Sequence, residues 1–151
     1  MCSSDLFPSH DRPRDDFLMD ELQRDLADSP MTVRDYLGDS LKTDYYYMHP
    51  RSYKRRAIFS VDEPSSTIRG VNRPIPANYT IHNADKTSDI EQVRALSSTE
   101  RSYIQTFPKG FVFEGSRSSV EQLIGNAVPV KMAEYIASHV YDNLRSNENA
   151  K

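Results

Sequence analysis

The stretch QLIGNAVP, residues 122–129, is the part of the chain around which the other motifs are arranged. A polar helical turn leads into Gly125 and Asn126, and an apolar helical pattern over residues 130–144 follows Pro129. Because Gly adopts positive φ angles freely and Asn tolerates them, this pair predicts a sharp backbone corner. Pro suits the first turn of a helix, whose exposed N–H groups can hold an anionic or polar part of a ligand. The pattern also suits a plain corner between two helices.

Length and composition narrow the class of protein. The 151 residues suffice for one domain, or for one domain and an appendage. The low mean hydropathy of -0.69 indicates flexible ends or a surface that binds a partner. A single cysteine, Cys2, excludes a disulfide framework and favours a reducing, cytoplasmic compartment. The sequence has no apolar run that could cross a membrane and no signal-peptide pattern at its start.

The net charge of -3 conceals a marked asymmetry along the chain. Residues 1–46 carry five Lys and Arg against eleven Asp and Glu, a net charge of -6. Residues 51–73 carry six Lys and Arg against two acidic residues, a net charge of +4. A basic block on an acidic protein is a localised electrostatic footprint for a charged partner.

Taken in order, the sequence predicts five regions. They are a disordered leader (1–15), a helical lead-in (16–42), an irregular β-rich region (43–92), a region of motifs with a final helix (93–146), and a tail (147–151). The lead-in contains two helical patterns, over residues 16–27 and 32–41, and Thr32 can cap the second.

Secondary-structure signals are clear in the two long regions. Tyr and other β-forming residues alternate with arginines over residues 43–60, and residues 79–81 predict one more short strand. Capping-box spacing at Ser97 and Glu100 predicts a helix start, and the same spacing from Ser118 to Glu121 predicts another. The final helix carries a single apolar stripe, formed by Ala133, Ile136, Ala137, Val140 and Leu144.

The residues contain no recognisable catalytic set. Cys2 lies in the predicted leader and is therefore not a positioned nucleophile. The four histidines lack the spacing of metal ligands, so we expect no metal site. The basic and aromatic block over residues 45–73 suits nucleic acid, because Lys and Arg neutralise phosphates and Arg can fork onto guanine edges. A solvated basic surface is the alternative interpretation.

Three motifs in order resemble the C-terminal part of the DNA cytosine-5 methyltransferases. They are RALSSTE (residues 94–100), QTFP (residues 105–108) and QLIGNAVP (residues 122–129). Residues 55–70, with their PSSTI element, resemble the target-recognition region of that family. The sequence departs from the family pattern at Ser97, Thr99 and Ser102-Tyr103, which puts a salt bridge of the scaffold helix in doubt.

The resemblance covers about residues 30–144, and it implies that recognition and catalysis are divided between two chains. The family's cofactor-binding glycine motif, its Pro-Cys nucleophile, its Glu-Asn-Val element and its Gln-x-Arg-x-Arg strand precede this region and are not in the chain. We therefore expect the small subunit of a split, prokaryotic, two-chain methyltransferase, with the catalytic cysteine on the partner chain. A truncated, non-catalytic remnant or a free DNA-binding module is the alternative.

The resemblance also implies a fold and a set of contacts. The fold is α+β: a small irregular β-rich target-recognition domain with flanking helices, whose C-terminal helix completes the α/β S-adenosylmethionine-dependent methyltransferase domain of the partner chain. A first loop would contact double-stranded DNA through Arg51, Tyr53, Lys54, Arg55 and Arg56, and a second through Thr67, Arg69, Asn72 and Arg73. The cofactor S-adenosylmethionine would be bound by Asn126, Ala127 and Val128, mainly through backbone groups at the helix start.

Overall fold

A small three-stranded sheet lies at the centre of the chain. The computed structural model describes residues 29–52 and 54–149, except for the side chains of residues 143 and 146–149. The sheet consists of β1 (Tyr45–Tyr47), β2 (Ile58–Ser60) and β3 (Val93–Ala95), in the order β2-β1-β3. β1 pairs antiparallel with β2 and parallel with β3. The predicted leader and the helix over residues 16–27 lie outside the described residues.

Tyr45, Tyr46 and Tyr47 show why this sheet is buried on both faces. Successive side chains of a strand point to opposite sides, so adjacent tyrosines enter different clusters. Tyr46 stacks on Phe59 in the larger cluster, with ring centroids 5.8 Å apart. Tyr47 enters a smaller cluster and meets the ring of Tyr79 edge-on at 5.7 Å. The sheet therefore carries a core on each side although its strands are only three residues long.

The described part of the chain contains four α-helices besides the sheet. They are α1 (Val33–Leu37), α2 (Ser98–Ile104), α3 (Arg117–Asn126) and α4 (Val130–Asn149). Two 3₁₀ turns, Gly38–Leu41 and Ile90–Gln92, follow α1 and precede β3. Val33 of α1 and Ile124 of α3 belong to the larger cluster, so these helices pack on the same side of the sheet.

Two helix starts confirm the sequence signals. Thr32 caps α1 by accepting from the Asp35 N–H, and the Asp35 carboxylate accepts from the Thr32 N–H in return. Ser97 and Glu100 form the same reciprocal box at α2. The predicted helix over residues 32–41 is divided at Gly38, whose φ of 56° ends α1 before the 3₁₀ turn begins.

Two local predictions are wrong. Residues 79–81 form no strand, because the Tyr79 hydroxyl and the His82 N–H both donate to the carboxylate of Asp85. The third strand is β3 instead, which lies within the motif region. Helix α3 begins at Arg117 and not at Ser118, since Ser116 is the residue that caps it by accepting from the Ser119 N–H.

The described residues confirm an α+β fold with a small sheet and flanking helices. The five-region division stays a prediction. Strand β3 begins at residue 93 and pairs with β1, so the sheet joins the β-rich region to the region of motifs. Completion of a partner's domain by α4 is taken up below as a proposal.

Candidate nucleic-acid interface

A groove of about 290 Å³ opens between the loop that joins β1 to β2 and the segment that follows β2. It is lined by Met48, Pro50, Arg51, Arg55, Arg56, Phe59, Ser66, Thr67 and Arg69. Five of the nine residues predicted to contact DNA are thus brought together, and four of these five are arginines. Positive charge gathered in a concave surface attracts polyanions and suits phosphate groups or guanine edges.

Two of these arginines are fixed by the fold. The Arg56 guanidinium pairs with the Glu63 carboxylate at 2.9 Å and lies over the Phe59 ring, 4.3 Å from its centroid. The Arg69 guanidinium donates to the His49 carbonyl, which connects the second recognition loop to the strand end before the first loop. Side chains held in this way lose little freedom on binding, which favours affinity.

The remaining predicted contacts differ in their accessibility. Arg51, Lys54, Arg55, Thr67 and Arg73 are exposed, so each can reach a ligand at the surface. Tyr53 lies outside the described residues. His49 lies beside this surface, and burial, together with the charges of Arg73 and Arg69, lowers its pKa. The imidazole therefore adds no charge to the groove at neutral pH.

Asn72 has a different environment from the other predicted contacts. Its side-chain amide donates to the Leu96 carbonyl and to the Glu121 carboxylate, both at 2.8 Å. A carboxamide has two N–H donors, and two donors are used here inside the fold. Base reading by Asn72 stays a prediction, but its geometry is that of a residue that positions the second loop.

Glu121 is the centre of a buried polar cluster on α3. Its carboxylate pairs with Arg101 and also accepts from the Ser98 hydroxyl at 2.7 Å. The other arm of the Arg101 guanidinium donates to the Arg69 carbonyl in the second loop. Burial lowers the pKa of Arg101 to about 10, so the guanidinium stays charged at neutral pH. A buried charge pair of this kind is costly to break from one side only.

Gly125 does not form the corner that the sequence predicts. It lies inside α3, and its φ is not among the positive values recorded in the described residues. Glycine is needed there for another reason: a Cβ atom would overlap the backbone of Arg69 and Gly70. The extended backbone of Ala127 provides the turn into α4.

Gln105 holds both sides of the QLIGNAVP turn. Its side-chain amide donates to the Ile124 carbonyl at 2.9 Å and to the Ala127 carbonyl at 3.2 Å. The backbone carbonyl of Gln105 accepts from the Val130 N–H at 3.2 Å. Next to it, Thr106 has a φ of 61°, an uncommon value for a β-branched residue, and its hydroxyl accepts from the Lys131 N–H at 2.9 Å.

These bonds use two of the backbone donors at the start of α4. The N–H groups of Val130 and Lys131 are used by Gln105 and Thr106, so they are not free for a ligand. Asn126, Ala127 and Val128 stay the predicted cofactor residues. The exposed Asn126 amide and the exposed Val128 side chain fit the polar head and the apolar chain of a methionine group.

Helix α4 carries a long exposed apolar face. Of its residues, Met132, Tyr135, Ile136, Val140, Tyr141 and Leu144 are all exposed large hydrophobic side chains. The predicted stripe is therefore present on the helix, and Ile136, Val140 and Leu144 belong to it. A large exposed apolar patch is typical of an interaction surface.

Metal-ligand clusters and membrane-spanning helices are both absent from residues 29–52 and 54–149. Within them, no His, Cys, Asp and Glu side chains gather as metal ligands would. Among the helices of the same ranges, none combines the length and the apolar character needed to cross a membrane.

Sequence reasoning missed Arg101, Glu121 and Gly70. An arginine in a helix is usually exposed, and nothing local distinguishes Arg101 from the other arginines of the chain. The available signal was spacing, because Arg101 and Gln105 are four residues apart and so lie on one side of the helix. The departures from the family pattern at Ser97, Thr99 and Ser102-Tyr103 put a salt bridge of this helix in doubt, but Arg94 bonds Glu100 at 2.6 Å.

The three motifs RALSSTE, QTFP and QLIGNAVP resemble those of the DNA cytosine-5 methyltransferases. Residues 11–142 match the sequence profile described as C-5 cytosine-specific DNA methylase. The chain belongs to this family.

Several curated relatives are similar to the chain. The Type II methyltransferase M.HindV of Haemophilus influenzae is 59% identical over 125 residues, which are 82% of this chain and 41% of the relative. The Type II methyltransferase M.HgiDI of Herpetosiphon aurantiacus is 60% identical over 121 residues, 80% of this chain and 39% of the relative. The chain thus spans about two fifths of the length of these relatives and corresponds to their C-terminal part. No solved structure matches it.

Proposed function

We propose that this chain is the DNA-recognition subunit of a split DNA cytosine-5 methyltransferase, which methylates a cytosine within a short specific duplex site. The observation that carries the proposal is the arginine-lined groove, which lies next to a helix turn with the QLIGNAVP motif of the family. A catalytic part on a partner chain supplies the reactive cysteine, and the present chain is inactive alone.

In this proposal the exposed side chains of the groove make the first contacts with DNA. Arg51, Lys54 and Arg55 neutralise phosphates or read base edges, and Thr67 contacts a phosphate. Arg69 and Arg73 read bases from the second loop. Arg56 contributes its charge from a fixed position, and Asn72 keeps the second loop in place. Tyr53 belongs to the first loop and is proposed from sequence alone.

Residues 124–128, which we call the cofactor segment, contact the methyl donor in this proposal. S-adenosylmethionine, when bound, supplies the methyl group, and the exposed Asn126 amide with Val128 would hold its methionine end. Gln105 fixes this segment by bonding two of its carbonyls. The target cytosine has to leave the base stack before it can react, and in this proposal the basic first loop supports the opened duplex.

The exposed apolar face of α4 is the proposed docking surface for the catalytic part. Such a face is unfavourable in water, and covering it stabilises a complex by roughly 25 cal/mol for each Å² of apolar surface buried. Support also comes from the relatives, in which the segment that this chain matches is about two fifths of a longer polypeptide. Because those relatives are named Type II methyltransferases, we further propose that the assembly protects DNA from a cognate restriction endonuclease in a prokaryotic cytoplasm.

The deciding experiment measures transfer of a labelled methyl group to DNA. The segment of M.HindV that precedes the match serves as the catalytic part. Methyl transfer is measured with this chain alone, with the catalytic part alone and with the two together. Methylation by the mixture only is the expected result. Methylation by this chain alone would reject the split arrangement. A silent mixture that still binds DNA would favour a non-catalytic remnant.

A further inference from the structure

The two segments proposed to contact DNA and the cofactor touch each other backbone to backbone. Gly70 of the second recognition loop lies directly against Gly125 of α3, with no space for a Cβ atom on Gly125. Gly70 is also close to Gln122, one turn before Gly125. Neither glycine has side-chain atoms that could adjust at this contact, so a displacement of one segment acts directly on the other.

Polar contacts connect the same two segments on either side of the glycine contact. Asn72 bonds Glu121 of α3 at 2.8 Å, and Glu121 pairs with the buried Arg101. Arg101 then donates to the Arg69 carbonyl, which closes the connection back to the second loop. Gln105, which directly follows α2, also bonds the carbonyls of Ile124 and Ala127.

We infer that the second recognition loop, residues 67–73, and the cofactor segment, residues 124–128, move as one rigid unit. Gly70 and Asn72 are therefore positioning residues for cofactor binding, although they belong to the loop that faces DNA. This inference depends on the proposed function. Its consequence is that a change at the contacts between the loop and α3, which are made by Gly70 and Asn72, alters the affinity for S-adenosylmethionine even when no DNA is present.

The test variant is Gly70→Ala. A Cβ atom at this position would lie 3.1 Å from the Gln122 Cγ and 3.2 Å from its Cα, so the loop and α3 have to separate by a few tenths of an ångström. The Gly70 φ is not in the left-handed region, so the substitution introduces no backbone strain of its own. We expect S-adenosylmethionine to bind about fivefold more weakly, the lower end of common coupling between sites.

The measurement is calorimetric titration of the complex between this chain and the catalytic part with S-adenosylmethionine, in the absence of DNA. Arg73→Ala is the matched control, because Arg73 is exposed in the same loop. It is expected to weaken DNA binding and to leave the cofactor affinity unchanged. Asn72→Ala, which adds no atoms and removes the bond to Glu121, is expected to behave as Gly70→Ala does.

Hydrogen exchange of the full 151-residue chain gives a second readout that needs neither partner nor activity. The backbone amides of residues 124–127 are expected to exchange faster in Gly70→Ala and Asn72→Ala than in Arg73→Ala or the wild type. Unchanged cofactor affinity and unchanged exchange in both loop variants would overturn the inference. A wild-type mixture without methyl transfer would overturn the proposed function instead, and the exchange result would still stand.

Discussion

At the scale of single residues, Asp85 shows how one side chain fixes an irregular region. Its carboxylate accepts from the N–H groups of Ala57 and Ile58 at 2.9 and 3.0 Å, from the Tyr79 hydroxyl at 2.6 Å and from the His82 N–H at 2.8 Å. Two of these donors lie at the start of the outer strand β2. Asp85 therefore takes the place of a fourth strand along that edge.

Asp85→Asn is expected to lower the free energy of unfolding by roughly 1–3 kcal/mol, because an amide cannot accept all four bonds. Burial raises the pKa of Asp85, but the hydrogen bonds outweigh it and hold the pKa below the ordinary value of 3.8. The stabilisation is thus complete above that value and is lost as pH falls through the folded pKa. Denaturant unfolding across pH measures both effects.

The control for this change is Asp39→Asn, since the side chain of Asp39 is fully exposed. It is expected to alter the free energy of unfolding by less than about 0.5 kcal/mol. The difference between wild type and Asp85→Asn is expected to shrink in acid, when the wild-type carboxyl group is protonated as well. A difference that stays constant with pH would show that Asp85 acts through packing and not through its charge.

Arg55 and Arg56 are adjacent in the chain but differ in their exposure and contacts. Arg55 is exposed and lines the groove, whereas Arg56 is held by Glu63 and Phe59. If Arg55 reads a base, Arg55→Ala is expected to weaken binding to the preferred DNA by roughly 1–3 kcal/mol and to relax sequence choice at one position.

Binding to a panel of duplexes at one fixed salt concentration tests this expectation. Lys109→Ala serves as the control, because it removes one exposed positive charge outside the groove. An equal loss on every duplex would make Arg55 a phosphate contact. No loss at all would remove Arg55 from the interface.

At the scale of the elements, the sequence predicted the features that depend on residues close together in the chain. The caps at Thr32 and Ser97, the tyrosine strand and the apolar stripe of the last helix are short-range signals, and the structure has all of them. The groove was anticipated as a basic block. The groove is formed by two loops, and their relative position depends on the register of β1 against β2. No local sequence pattern predicts that register.

The features that sequence reasoning missed depend on contacts between residues that are far apart in the chain. Strand β3 exists because Val93, Arg94 and Ala95 pair with β1, which is almost fifty residues earlier. Gly125 is interpreted locally as a turn residue, but the contact that requires it is with Gly70. Long-range contacts of this kind override local propensity, so a motif can be recognised correctly and still be given the wrong physical reason.

At the scale of the whole molecule, the chain combines a well-packed sheet with one helix whose apolar face is exposed. Ile124 and Leu96 are almost completely buried, whereas Leu144 and Tyr141 are each 61% exposed. The large apolar side chains of α4 are thus exposed, whereas those of the sheet form the core, which separates these two sets. This separation is typical of a chain whose last helix is covered by another part of an assembly.

Such a chain is expected to melt at a higher temperature when the catalytic part is present. Binding to the folded state alone adds about 2.7 kcal/mol of stability when the partner is at a hundred times the Kd. For a chain of this size that corresponds to a rise in Tm of roughly 5–10 °C. Ile136→Asp changes a side chain that is 43% exposed, so it is expected to leave the Tm of the isolated chain unchanged and to abolish the rise. Calorimetric melting of each protein, with and without the M.HindV segment, measures this. A chain that melts cooperatively at one temperature, whether or not the segment is added, would show that α4 needs no partner.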